Sequence, residues 1–140
     1  EYGRLDDRYC STTSYFVLDE MNRLVGAASL RHYLTIEGMN TWGHIGYGIR
    51  PSERRKGYAT VILNMLLEEA KKRHIYRILI GSHTSNIGSC KVIEKCGFKF
   101  EEEIIDPSNS NETIKKYFKY ILFWMLYWRL IVMEKILRKG

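Results

Sequence analysis

One junction constrains this chain more than any other feature. The run Ile49-Arg50-Pro51-Ser52-Glu53-Arg54-Arg55-Lys56-Gly57-Tyr58-Ala59-Thr60 joins a Gly-rich apolar segment, stopped by Pro51, to a long amphipathic pattern of helical period. Three cations, a glycine and a small residue at the head of a helix gather backbone N–H groups, the positive end of the helix dipole and side-chain charge in one place. That combination suits a pyrophosphate. On charge alone Arg54, Arg55 and Lys56 also read as a solvated loop, so the surroundings have to decide. Neither G-x-x-x-x-G-K-[ST] nor G-x-G-x-x-G occurs, which removes the signatures of ATP and nicotinamide binding.

The flanking segments supply an order of elements. Tyr15 to Leu18 is β-prone, Asp19 to Arg23 turn-like, and Leu24 to Tyr33 the returning strand of a hairpin; what precedes, to Thr13, reads as an irregular lead-in. Residues 34–41 read as a loop around Gly38. Trp42 to Ile49 is a third strand, in which Gly46 and Gly48 mark close approach of another backbone or a ligand. From Gly57 to Arg73, Tyr58, Val61, Ile62, Met65, Leu66 and Ala70 form an apolar helical stripe, with Glu68 and Lys72 as an i,i+4 pair on the wet side. Tyr76 to Gly81 is a buried strand, so the strand–helix–strand order predicts a right-handed crossover and a parallel pair. A shorter helix follows between Ser85 and Lys95, capped by Asn86 or Ser85 and ended by Gly97. Phe98 to Glu102 and Thr113 to Ile121 complete the strands around a loop at Asp106 to Asn111.

A chain of 140 residues that is 45% hydrophobic fills one core, so residues 1–121 read as a single domain and 122–140 as a hydrophobic and basic extension. The net charge of +6 is carried by the end of the chain, where Lys115, Lys116, Lys119, Arg129, Lys135, Arg138 and Lys139 face only Glu134. A dispersed basic tail on a neutral domain does not describe a nucleic-acid reader. The three cysteines, Cys10, Cys90 and Cys96, form neither a C-x-x-C pair nor a zinc-spaced cluster, which makes a reducing cytosol the default compartment. The chain starts at Glu1 without Met, as a piece of a longer sequence would, and shows no signal peptide.

Two motifs then coincide. Arg54, Gly57 and Ala59 fit [R/Q]-x-x-G-x-[G/A], and Asn86, Ser89, Lys95, Gly97 and Phe98 fit N-x-x-[A/S]-x-x-x-[Y]-x-K-x-G-F in the order and on the elements of the GNAT acetyltransferase superfamily. The chain resembles that superfamily from about Tyr15 to Tyr120. The resemblance implies an α/β fold with a mixed central β-sheet, splayed at the acyl-CoA site and flanked by helices. It implies acetyl-CoA (coenzyme A) as cosubstrate, no metal, and transfer of the acetyl group to a primary amine of a small molecule or peptide by direct attack in a ternary complex. Its cofactor residues carry over to Arg54, Arg55, Lys56, Gly57, Tyr58, Ala59 and Thr60 at the pyrophosphate, and to the strand edge of Tyr47, Gly48 and Ile49 along the pantetheine. Asn86 carries over to contact with the pantetheine or to ordering of the thioester end, and Ser89 to cofactor binding.

The departures concern catalysis. Where many members place a Tyr that protonates the leaving thiolate, this chain has Ile93, and no carboxylate lies between Trp42 and Ile49. That strand offers His44 and Tyr47, with His44 the first candidate for general base. A His packed beside Trp42, or deprotonation by water with backbone N–H groups near Gly48 and Ile49 holding the oxyanion, stand beside it. His32, Tyr33, Glu37 and His83 could line the acceptor side, a surface role being the plainer reading of each. A coenzyme-binding module with weak catalysis is the competing class. The uncharged run Ile121 to Trp128 is short of the about 20 residues that span a membrane. Its apolar residues cover all sides of a helix, which implies packing on the core or on a second subunit as a homodimer. An interfacial membrane helix or an adaptor role is the alternative.

Overall fold

The computed structural model describes residues 10–121. The readings for residues 1–9 and 122–140, including the helix and the homodimer contact, lie outside the described residues. Strand β1 (Thr12–Leu18) pairs antiparallel with β2 (Leu24–Arg31), and β2 with β3 (Ile45–Ile49). The hairpin turn is made by Asp19, whose Oδ1 accepts from the backbone N–H groups of Met21 and Arg23, both at 2.9 Å, while Asn22 takes the left-handed conformation at φ 59°. Gly26 is required where β2 meets β3: a Cβ there would lie 2.4 Å from the Gly48 carbonyl oxygen.

The second sheet has the order β4-β6-β5, from β4 (Arg77–His83), β5 (Lys99–Asp106) and β6 (Asn109–Tyr120). Helix α1 (Ile36–Asn40) precedes β3, α2 (Tyr58–Lys72) joins β3 to β4, and α3 (Ile87–Lys95) joins β4 to β5. One core holds the halves together, with Leu30 and Ile45 from the first sheet, Ile78, Ile80 and Tyr117 from the second, and Leu63, Leu66 and Ile93 from α2 and α3.

Several expectations change. The segment read as a loop around Gly38 contains α1, because the Thr35 hydroxyl caps the Gly38 N–H at 3.0 Å. The first strand begins at Thr12, inside the expected lead-in. The buried stripe of α2 is Ile62, Leu63, Leu66, Leu67 and Ala70, leaving Val61 and Met65 exposed. In Val61-Ile62-Leu63 and Met65-Leu66-Leu67 every position is apolar, so two stripes one residue apart fit the helical period equally and packing selects between them. Lys72 pairs with Glu69 at 2.7 Å, an i,i+3 contact, and not with Glu68.

The parallel pair expected between β3 and β4 is also replaced. Every strand pairing among the described residues is antiparallel, and the two sheets are joined by an isolated bridge between Gly43 and Ile80. Gly43 sits at φ 71°, and a Cβ on it would lie 2.2 Å from the Leu79 carbonyl oxygen. The chain therefore kinks at Gly43 and β3 leaves β4 at once. This is the splay that the fold class requires.

Candidate functional site

A cleft of about 480 Å³ opens between β3, the head of α2 and the head of α3. Its wall contains Tyr47, Gly48 and Ile49 of β3, Arg54, Arg55, Gly57, Tyr58, Ala59 and Thr60, then Asn86 and Ser89 of α3. All the residues expected to hold a cofactor are thus brought together except Lys56. The Lys56 Nζ lies 2.8 Å from Glu53 Oε2. Glu53, which the sequence reading missed, also lines the cleft. Its carboxylate would oppose an anion, and the Lys56 ammonium both offsets that charge and holds the Glu53 carboxyl below its ordinary range. Opposite charges three residues apart in the short connection between Pro51 and Tyr58 were the available signal.

The floor of this cleft is built for an anion. Gly57 is the N-cap of α2 at φ 85°, no side chain caps the helix, and its first turn carries no acidic residue. The N–H groups of that turn have no partner inside the helix. Arg55, two residues before Gly57, also takes a positive φ of 62°, and left-handed residues in such turns help to form the backbone nests that hold phosphates. No heavy atom lies within 4 Å of where a Cβ on Gly57 or on Gly48 would be, so space is left above both. The Arg54 Nε donates to the Ile49 carbonyl at 3.1 Å, which fixes that guanidinium between strand and helix.

At the other end the two lips touch. The Tyr47 hydroxyl lies 2.9 Å from the Ser89 Oγ, bridging β3 and α3. Burial pushes the Tyr47 phenol above its ordinary pKa, against a smaller opposing effect of the Ser89 bond. Asn86 caps α3, its Oδ1 accepting from the Ser89 N–H at 3.1 Å, so the motif residue sets the position of Ser89. Ile93, in place of the family's Tyr, is fully buried in the core.

His44 is not at this cleft. It is 7% exposed, and its Nδ1 accepts from the Leu79 N–H at 3.0 Å while its backbone N–H donates to the Leu79 carbonyl at 2.7 Å. Burial, aided by the charges of Arg31 and Arg77, lowers its pKa to about 4. A ring whose one lone pair is already taken, and which resists protonation, is a clasp between the sheets and not a general base. This corrects the first candidate. His32 is held by Ser11 and Thr13 at 3.0 and 2.7 Å. Tyr33 is exposed, and Glu37 lines a separate hollow of about 160 Å³ with Arg31 and Trp42.

His83 stands at the end of β4 with its Nε2 2.8 Å from Asp106 Oδ2, its Nδ1 3.4 Å from Glu112 Oε2, and the Trp42 ring edge-on at 4.9 Å between centroids. No spacing in the sequence joins these residues; the β5–β6 hairpin carries the carboxylates back to β4. Among the described residues no helix is long and apolar enough to cross a membrane, and no group of His, Cys, Asp or Glu could hold a metal ion.

A family model described as "Acetyltransferase (GNAT) family" matches residues 2–98 of the chain. Among solved structures, spermidine N-acetyltransferase from Vibrio cholerae in complex with CoA and spermine is 18% identical with a TM-score of 0.65, covering 78% of this chain and 65% of that one. A putative streptothricin acetyltransferase from Bacillus anthracis in complex with acetyl coenzyme A is 20% identical with a TM-score of 0.65, covering 79% of this chain and 63% of that one. At these identities the likeness is one of fold, and the chain spans slightly under two thirds of the length of those proteins. No curated protein matches.

Proposed function

The chain belongs to the GNAT acetyltransferase family, and from that premise we propose that it is an acetyl-CoA-dependent N-acetyltransferase acting on a primary amine of a small molecule or peptide. The observation that carries this reading is the single cleft in which Tyr47, Gly48 and Ile49 face Asn86 and Ser89 and run into the uncapped head of α2. A pyrophosphate fits the N–H groups after Arg54, and an extended pantetheine fits the open edge of β3, which pairs with β2 on its other side. Bound acetyl-CoA supplies an activated acyl carbon and a thiolate leaving group. Direct attack by the amine needs no acyl-enzyme.

The chain's own residues orient and protonate. Tyr47, kept as phenol by burial and hydrogen-bonded to Ser89, is the hydroxyl placed to give a proton to the departing sulfur, the task left open by Ile93. A Tyr47→Phe variant should retain coenzyme A binding and lose about 10²-fold in kcat. The first test is release of free thiol from acetyl-CoA across a panel of amines and peptides, with coenzyme A-induced thermal stabilisation measured beside it. Stabilisation without thiol release on any amine would leave a binding module and remove the transferase reading. The soluble cytoplasmic setting and a small-molecule acceptor belong to the same proposal.

A further inference from the structure

We propose that His83 and Glu112 take up the acceptor as an ammonium ion and that His83 removes its proton, with Asp106 holding the ring. This rests on the amine-acetylating reading above.

Position comes first. Along β4, Ile78 and Ile80 pack into the core beneath the helices, so His83, of opposite parity to Ile80, lies on the other face, opposite Ile114. The chain crosses that face at residues 41–42: a Cβ on Gly81 would lie 2.4 Å from the Thr41 carbonyl oxygen and 3.1 Å from the Trp42 Cα. His83 is three residues past the antiparallel Gly43–Ile80 bridge, on the side where the chain beside β4 is Thr41 and Trp42. Its carbonyl accepts from the Asn86 N–H at 3.0 Å, and Asn86 lines the cofactor cleft. The main chain of His83 is thus bonded to a residue that lines the cleft, while its ring lies on the opposite face beside Trp42.

Geometry then gives the ring a direction. Asp106 is 4% exposed and its Oδ1 accepts from the Ser108 N–H and hydroxyl at 2.8 and 2.7 Å. Those bonds, with His83, hold its carboxyl down at about 2, so it is a carboxylate throughout the working range. A neutral His83 donates Nε2–H to that carboxylate, which leaves its lone pair on Nδ1. Nδ1 then faces Glu112 Oε2 across 3.4 Å, two acceptors with no hydrogen between them. An –NH3+ group supplies donors to both, and the half-exposed Glu112 can yield to admit it. The other groups facing this place are Ser85, which donates to Glu112 at 3.3 Å, Trp42, and Glu103, which is occupied by Thr84 and Thr113. Cys90 Sγ lies on the His83 carbonyl at 3.7 Å.

The step balances. The ammonium passes one proton to Nδ1; the freed lone pair forms the C–N bond at the thioester carbon, and the C–S bond breaks with its electron pair on sulfur. The second proton of the nitrogen replaces the one given to the thiolate, and the imidazolium releases its proton to water.

The test uses n-butylamine and 1,4-diaminobutane with acetyl-CoA, measuring kcat and KM against pH for wild type, His83→Gln, Glu112→Gln and Asp106→Asn. In His83→Gln the rate at neutral pH should fall about 10²-fold or more. Its kcat/KM should keep rising to the amine's own pKa where wild type levels off, and free imidazole should restore part of the rate. Glu112→Gln should raise KM for the amine about tenfold with kcat little changed. Acetyl-CoA-induced thermal stabilisation should be the same in all four proteins. A wild-type pH profile in His83→Gln, with amine turnover intact, overturns this proposal alone; no turnover of any amine by wild type removes the transferase reading with it.

Discussion

Gly57→Glu separates the cost of folding from the cost of binding at the head of α2. Gly57 has φ 85° and ψ 1°, so any side chain there is held in the left-handed region, at about 1–2 kcal/mol. No steric term adds to this, since nothing lies within 4 Å of the new Cβ. The unliganded variant should therefore melt roughly 3–7 °C below wild type. Binding suffers differently. The carboxylate enters the open space where the N–H groups of the first turn converge, and it meets the pyrophosphate as a like charge. At a coenzyme A concentration of about 100 Kd, wild type gains about 2.7 kcal/mol, about 9 °C in melting temperature. Gly57→Glu should gain almost nothing. Gly57→Asn is the control, because Asn tolerates positive φ and carries no charge; it should lose less in both respects. Differential scanning fluorimetry with and without coenzyme A reads all three proteins. An undiminished ligand-induced shift in Gly57→Glu would show that the phosphates do not sit on this helix.

Three further outcomes follow from the same geometry. Arg55→Gly relieves a left-handed non-glycine residue, so the unliganded protein should hold its melting temperature or gain by up to about 1 kcal/mol, while coenzyme A affinity, measured by calorimetry, should fall about 5–30-fold with the lost cation. His44, depressed to about 4 in the folded state, binds more protons when unfolded; its contribution is present above about pH 6.5 and lost as pH falls toward 4, amounting to about 3 kcal/mol. Denaturant titrations should show that slope in wild type and a flatter one in His44→Asn, with the pH dependence of any transferase rate unchanged. Ile93→Tyr, which restores the family's residue, should cost about 1–3 kcal/mol by overpacking a fully buried site and give no increase in kcat.

How much of this was legible beforehand differs by kind of signal. The cleft was readable because its walls are motifs local in sequence: Gly57 and Asn86 declare a helix head by residue type, and the strand with Gly46 and Gly48 stops at a proline. The fold class came with the family resemblance that the two motifs carry, whereas the order of elements alone predicted a parallel pair that the structure replaces. The α2 stripe was not, because its apolar residues run three abreast and only packing distinguishes Val61 from Leu63. Nor was the place of His44. A histidine inside a strand titrates usefully in water, and nothing in its neighbours announces that the backbone N–H of Leu79, far along the chain, will occupy its Nδ1. The His83, Asp106 and Glu112 cluster depends on hairpin register, which a sequence specifies only through the whole sheet.

The isolated bridge at Gly43 and Ile80 has a consequence for how the protein holds together in time. Each three-stranded sheet draws on one continuous stretch of chain, residues 12–49 for the first and 77–120 for the second. With so little backbone pairing between them, the two are coupled mainly through the shared side-chain core, and amide hydrogen exchange should show two blocks with distinct protection. A ligand lying along β3 and reaching α3 would touch both blocks at once. It would act as a shared strand, and its binding should merge the two exchange classes into one cooperative unit.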